Sequence, residues 1–295
     1  MNLKKTVFCG VATALITPFS GGKIDYPCLE RLIDRQVDAG IDALVIGGTT
    51  GEAATLDDTE RYELFRFSRD YIGDRCKLIF GTGTNDTKKA VRHTEEAQRI
   101  GCDGVLVVTP YYNRGTREGI ARHYESIADC TLLPIILYNV PTRTGVNLDT
   151  ETLIRLSARE NIVGIKEAAD SQERLTALSL ISELDLYAGN DCAICSVLAL
   201  GGRGVISVVS NLYPKETLDI CREFFSGNVA LACEKQKKLI PVINTLFLET
   251  NPAPIKYALS KIGLCRPDMR LPMWLVTEST KRKVDTAIRE FSGNL

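Results

Sequence analysis

Lys166 is the residue of this 295-residue chain whose position promises the most chemistry. It ends the apolar run Ile162-Val163-Gly164-Ile165, which reads as a buried strand, so its amine is expected at a strand end and out of bulk water. An amine attacks a carbonyl only when neutral, and a free lysine, with a pKa of about 10.4, is almost wholly charged at neutral pH. Lowering that value by roughly 3 units takes about 4 kcal/mol of differential destabilisation, within what burial can supply. Position alone leaves two readings open: an imine-forming lysine, or one that snorkels to a rim or pairs with a carboxylate. Tyr138 closes the apolar run 134–137 and is expected to face the same way, either toward a site or as a core tyrosine satisfied by backbone. Thr49 and Thr50 lie in the glycine-flanked stretch Gly47-Gly48-Thr49-Thr50-Gly51-Glu52. Its amides and hydroxyls could hold a carboxylate, or simply make a tight strand-to-helix turn.

Other chemistries find little support. The only histidines, His93 and His123, both fall in stretches that read as helix, which disfavours a histidine-built zinc site or a Ser-His-Asp triad. The ten cysteines are scattered; Cys192 and Cys195 form a lone C-x-x-C, and no second pair completes a four-ligand set. Buried thiols suit a reducing cytoplasm. Lys plus Arg number 36 against 37 Asp plus Glu, a net charge of -1, so nothing electrostatic points to nucleic acid. No apolar run approaches the roughly 18 residues that span a bilayer. Lys4 and Lys5 before an apolar stretch mimic a signal peptide, but Gly10 and Thr13 interrupt that stretch, and a first core strand explains it better.

The elements that must position these side chains repeat evenly. Short apolar runs occur at 11–16, 43–46, 78–80, 105–108, 135–137, 162–165, 184–187 and 205–209. Each is followed by a Gly/Thr/Asn/Pro cluster and then an amphipathic stretch, beginning near Tyr26, Asp58, Thr87, Arg117, Asp149, Ser171, Asp191 and Pro214. Apolar runs on both faces alternating with helices predict parallel strands in βαβ units. Eight units predict an α/β fold, a closed (β/α)8 TIM barrel over 1–226, more than a doubly wound sheet. Residues 227–295 lack strand patterns and are expected to form a helical appendage, with faces at Leu239, Ile240, Ile243, Leu246 and Phe247, at Ile255, Ala258, Leu259 and Ile262, and at Val284, Ile288 and Phe291. In such a barrel the active site lies at the C-terminal strand ends. Those positions read Thr17, Thr49-Thr50, Gly81-Thr82-Gly83, Thr109-Pro110-Tyr111-Tyr112-Asn113, Tyr138-Asn139, Arg143, Lys166-Glu167, Gly189-Asn190-Asp191 and Ser207. The phosphate-cradle look of Gly201-Gly202-Arg203-Gly204 falls on the opposite face and reads as a turn.

These residues resemble a known family. Gly48-Thr49-Thr50-Gly51-Glu52, Tyr138-Asn139-Val140-Pro141, Gly164-Ile165-Lys166-Glu167, Gly204-Val205-Ile206-Ser207 and Asn251-Pro252 before Pro254 and Lys256 are similar to segments of the pyruvate-dependent class I aldolases and lyases. Thr49-Thr50, Tyr111-Tyr112-Asn113 and Arg143 resemble the dihydrodipicolinate synthase branch more than the neuraminate lyases. The resemblance implies that Lys166 forms an imine with pyruvate, held by Thr50 and the backbone at Ile206, with Gly189 also in the substrate-binding set. It implies a proton relay of Thr49, Tyr138 and Tyr112, the last reaching into a neighbouring subunit, and Arg143 on the carboxylate of aspartate semialdehyde. A homo-oligomer, commonly a tetramer built as a dimer of dimers, follows from that relay. The chemistry needs no metal or organic cofactor, and hydroxyls open to solvent can move its protons without histidine.

Two competing readings remain. The first is a lyase of sialic acid or a 2-keto-3-deoxy sugar acid, for which Arg143 would have no small carboxylate to bind. The second is a catalytically idle barrel, which would have no need of Lys166, Tyr138, Thr49 and Tyr112 together. One departure from the lysine-inhibited members concerns the region of Tyr111 and Asn85, where this chain carries Asp58, Arg61 and Lys89. A cation at Lys89 would repel an incoming ammonium group, so lysine feedback is expected to be weak or absent.

Overall fold

The structure is a computed structural model that describes residues 4–169 and 171–293. Eight parallel strands, β1 (Gly10–Ala14), β2 (Ala43–Ile46), β3 (Lys77–Gly81), β4 (Gly104–Val108), β5 (Ile135–Asn139), β6 (Ile162–Glu167), β7 (Asp185–Ala188) and β8 (Gly204–Ser207), close into a barrel. Closure is made by β1, which pairs with β2 on one side and β8 on the other, Thr13 lying opposite both Leu44 and Ser207. Around it run α1 (Tyr26–Ala39), α2 (Asp58–Ile72), α3 (Thr87–Ile100), α4 (Arg117–Asp129), α5 (Thr150–Ser157), α6 (Gln172–Ser179), α7 (Ile194–Ala199) and α8 (Pro214–Phe225). Then come α9 (Val229–Thr245), α10 (Ala253–Lys261) and α11 (Glu278–Ser292). The expected TIM barrel is the fold observed.

Local chemistry sets the helix starts. The side chains of Asp25, Asp57, Asp86, Thr116, Asp149 and Ser171 each accept a backbone N–H of the helix that follows, satisfying donors that have no intrahelical partner. Asp149 and Ser171, read from sequence as first helical residues, are thus the caps of α5 and α6. Phe247 and Ile262, assigned from sequence to apolar helix faces, lie just past the ends of α9 and α10 and are exposed.

Strand side chains alternate between two cores. Val11, Leu44, Leu78, Val105, Ile135 and Val205 pack outward against the helices, while Ala12, Ala43, Ile79, Leu106, Ile136 and Ile206 fill the barrel. Below them Phe8 stacks on Tyr187, with ring centroids 4.4 Å apart.

On β6 the alternation is broken at one place. β5 and β6 pair as Ile135↔Ile162 and then Ile136↔Gly164, so Val163 is an extra residue. Ile162 faces outward and Val163 inward, and strict alternation from there would turn Lys166 to the outer face. The extra residue returns Ile165 to the outer layer and sets Lys166 beside Tyr138 on the inner one. Gly164 makes room for this, since a Cβ there would lie 2.8 Å from the Asp185 carbonyl oxygen. Gly164→Ala is therefore expected to cost about 1–3 kcal/mol of stability, seen as a lower urea midpoint. An unchanged midpoint would mean that β6 tolerates a side chain at its irregularity.

Candidate active site

A cavity of about 370 Å³ opens at the C-terminal ends of the strands, lined by Thr49, Tyr138, Arg143 and Asn251 among others. Lys166 is 4% exposed and does not line it; its Nζ lies 4.4 Å from the centroid of the Tyr138 ring, which does. Burial lowers the Lys166 pKa to about 8, with Asp191 opposing the drop and Arg143 adding to it. A drop of that size corresponds to about 3 kcal/mol of differential destabilisation of the cation. At pH 7 it leaves about one amine in ten neutral, against roughly one in a few thousand for a free lysine.

Tyr138 is buried at the end of β5, and burial raises its pKa against the pull of Arg143 and of a hydrogen bond with Thr49. The loop after β2 thus delivers Thr49 to Tyr138, while the Thr50 hydroxyl accepts the side-chain amide of Asn251 at 3.0 Å. Arg143 stands on a single helical turn, Pro141–Thr144, whose proline at the first position suits helix initiation. Its Nη2 donates to the Asn251 carbonyl at 2.8 Å. Ile206 is buried on the inner face of β8, and Gly189 follows directly after β7. There a Cβ would meet the Glu167 carbonyl oxygen at 2.6 Å, so only glycine fits.

Tyr112 is the exception among the residues singled out from sequence. It is 89% exposed, in a left-handed backbone conformation (φ 71°), and does not line the cavity. This chain alone does not bring it to Thr49 and Tyr138.

Three contributors had no role in the sequence reading. Asp191 is buried, and its Oδ2 accepts the backbone N–H groups of Val208 and Val209 at 3.1 and 3.0 Å. Burial nevertheless pushes its carboxyl upward. Its place two residues after Gly189, among the strand ends, was the available signal. Glu167 is buried beside Lys166, with its carboxylate accepting Asn139, the Ala169 N–H and Arg174. Asn251 touches both Thr50 and Arg143 from 201 and 108 residues away, and no local pattern announces that.

At the cavity's other end Arg61 is buried and donates to the carbonyls of Gly81 and Ala53 at 3.0 and 2.7 Å. Asp58 is hydrogen-bonded to His93 at 3.0 Å, and Lys89 and Tyr111 complete this lining. Both histidines lie in helices, as read from sequence, and both are buried. Cys195 is hydrogen-bonded to Cys233 of α9, and burial pushes its thiol up to about 12, far from nucleophilic. Gly201-Gly202-Arg203-Gly204 is a turn into β8, with Arg203 bonded to Asp185 at 2.9 Å. Among the described residues no group of three or more His, Cys, Asp or Glu could hold a metal ion.

A family model described as the dihydrodipicolinate synthetase family matches residues 7–291. The chain belongs to that family. A 4-hydroxy-tetrahydrodipicolinate synthase of Clostridium novyi is 42% identical over 289 residues, 97% of this chain and 98% of the relative. One from Thermotoga neapolitana is 45% identical over 290 residues, 96% and 99% of the two chains. Among solved structures, dihydrodipicolinate synthase from Thermotoga maritima superposes with a TM-score of 0.95 at 40% identity, covering 97% of this chain and 99% of that one. Within the family frame, the site here presents one buried amine, a tyrosine–threonine pair and a guanidinium at one mouth.

The charges around the amine make opposite demands on it. Asp191→Asn should lower the titration midpoint of Lys166 below 8, and Arg143→Ala should raise it. Side-chain NMR of labelled lysine reads both, and a midpoint that stays put in either variant would remove that residue from the account.

Proposed function

We propose that this chain is a 4-hydroxy-tetrahydrodipicolinate synthase, a lyase of the aldolase type that condenses pyruvate with L-aspartate 4-semialdehyde in lysine and diaminopimelate biosynthesis. One observation carries the reading: a lysine amine brought down to about 8 by burial, set against Tyr138 and its Thr49 partner. The neutral amine of Lys166 attacks the keto carbon of pyruvate and, with loss of water, forms an imine. Protonated, the imine nitrogen is an electron sink, so the methyl group loses a proton and becomes an enamine carbon. That carbon adds to the aldehyde of the second substrate, and the substrate's own amine can then displace Lys166 and close the ring.

Each proton leaves or arrives at one centre, which is the work assigned to Tyr138, Thr49 and Tyr112. Thr50, the backbone at Ile206 and Gly189 are assigned to holding pyruvate. Arg143 at the mouth suits the carboxylate of the semialdehyde, because a guanidinium fits a carboxylate bidentately. The reaction as written draws on no metal or organic cofactor.

The outward Tyr112 ring supports a homo-oligomer, a tetramer as a dimer of dimers, in which it completes a neighbour's relay. The buried free thiols of Cys28, Cys102 and Cys221 support a reducing, cytoplasmic setting. No helix among the described residues is long and apolar enough to cross a membrane.

The deciding assay is pyruvate consumption with aspartate semialdehyde and N-acetylmannosamine offered side by side. Turnover with the semialdehyde alone is expected; turnover with the sugar instead would move the chain to the lyase branch. Borohydride trapping of pyruvate should accelerate with rising pH about a midpoint near 8, because only the neutral amine attacks, and should vanish in Lys166→Ala. Tyr138→Phe should still trap pyruvate while turnover falls roughly 10²–10⁴-fold. Arg143→Ala should raise KM for the aldehyde far more than for pyruvate. Lysine feedback should be weak, since Lys89 lines the outer cavity and Asp58 is already engaged by His93. Half-inhibition at sub-millimolar lysine would overturn that last point.

A further inference from the structure

Glu52 ends the loop that carries Thr49 and Thr50, and it does so with φ at 54°, in the left-handed region that non-glycine residues seldom occupy. Its carboxylate is buried, accepting the ammonium of Lys256 and the backbone N–H of Arg270 at 3.1 Å. Lys256 belongs to α10 and is fully buried. Its Nζ also donates to the Asp268 carbonyl at 2.9 Å and lies 4.3 Å from the centroid of the Phe19 ring. The Arg270 guanidinium rests on the same ring at 4.6 Å and forks onto Glu60 at 2.5 and 2.6 Å.

A buried ion pair is a poor device for stability alone, since apolar side chains of similar volume often do as well. What a pair of this kind does supply is a fixed distance between the two backbones that carry it. Here those backbones are the threonine loop and the first turn of α10. Within that turn the Lys256 N–H donates to the Pro252 carbonyl at 3.0 Å, so Lys256 is rigidly tied to the Asn251-Pro252 step. Asn251 in turn reaches Thr50 with its side chain and Arg143 with its carbonyl. Two chain segments about 200 residues apart are thereby joined at two points, Lys256 to Glu52 and Asn251 to Thr50, and the bond of Arg143 to the Asn251 carbonyl ties in a third.

We propose that Glu52 and Lys256 are positioning residues whose buried ion pair locks the first turn of α10 onto the threonine loop, so that Asn251 holds Thr50 and Arg143 in register for the two substrates. Neither side chain touches the reacting atoms. The pair acts through Asn251 and through the backbone of residues 49–52. The kinetic test rests on the synthase reading above, and the wild-type assay run alongside tests that reading separately.

The double substitution Glu52→Gln with Lys256→Met removes both charges at similar volume. It is expected to keep a urea midpoint close to wild type while KM for pyruvate and for the aldehyde each rise at least tenfold. A merely structural pair would give wild-type KM values once stability is retained, and that result overturns the proposal. Should the double variant unfold, Glu52→Asp keeps both charges but shortens the link by a methylene. It is expected to fold and to raise both KM values, and unchanged values would again overturn the proposal. A crystal structure of whichever variant folds is independent of activity: Asn251 still bonded to Thr50 and Arg143 in the same geometry would sink the idea even if the wild-type protein proved to have another substrate.

Discussion

An ammonium group kept out of water is the constraint on which the rest of this site depends. Burial of Lys166 disfavours the charged form, and no carboxylate among the described residues bonds the amine directly to restore it. The folded chain therefore holds its proton less tightly than the unfolded chain does. Between about pH 8 and the ordinary lysine value the unfolded state binds more protons, so stability from this group rises with pH across that window. Below pH 8 the penalty is fully present, and the surrounding structure carries it at neutral pH as the cost of a reactive amine.

What surrounds the amine follows from that cost. The Tyr138 ring covers Nζ on one side, giving a cation a favourable quadrupole. Asp191 acts on the amine through its charge, with no hydrogen bond between them, and its Oδ2 accepts two backbone amides, so it tempers the amine without clamping it. Glu167, the nearest carboxylate in sequence, is withheld by three separate donors, the Asn139 amide, the Ala169 N–H and the Arg174 guanidinium. One residue beyond Lys166 on β6, Glu167 stands on the outer face with Arg174 of α6, so it does not hold the amine charged. The neighbourhood is arranged to leave the lysine underpaired.

The remaining charges sit at the rim and in the frame. Arg143 faces the cavity while anchored to Asn251, and the guanidinium of Arg61 ties the strand end at Gly81 to the turn at Ala53. The helices beyond the barrel are part of the site's construction, because α10 and the segment leading into it supply Asn251 and Lys256 to the loop after β2. A barrel provides strand ends in a ring, and here the ring is braced from outside by a segment far along the chain.

Much of this was legible in the sequence, and for a physical reason: strand burial, helix amphipathicity and capping are local patterns, readable a few residues at a time. Eight apolar runs gave the barrel, and helix starts read near Asp58, Thr87 and Asp149 fall within one residue of those observed. Lys166, Tyr138, Thr49 and Arg143 were visible because strand ends of a barrel converge whatever the loops do. Closure and packing decided the rest. An extra residue opposite Ile135–Ile136 turned Lys166 inward, where simple alternation would have turned it out. The bonds of Asn251 to Thr50 and of Lys256 to Glu52 join segments about two hundred residues apart, so no window of sequence contains them. Tyr112, expected in the relay, faces solvent on this chain because its own loop carries it outward. Residue types and spacing determined which chemistry was available; only the folded chain decided which groups meet and which amine loses its charge.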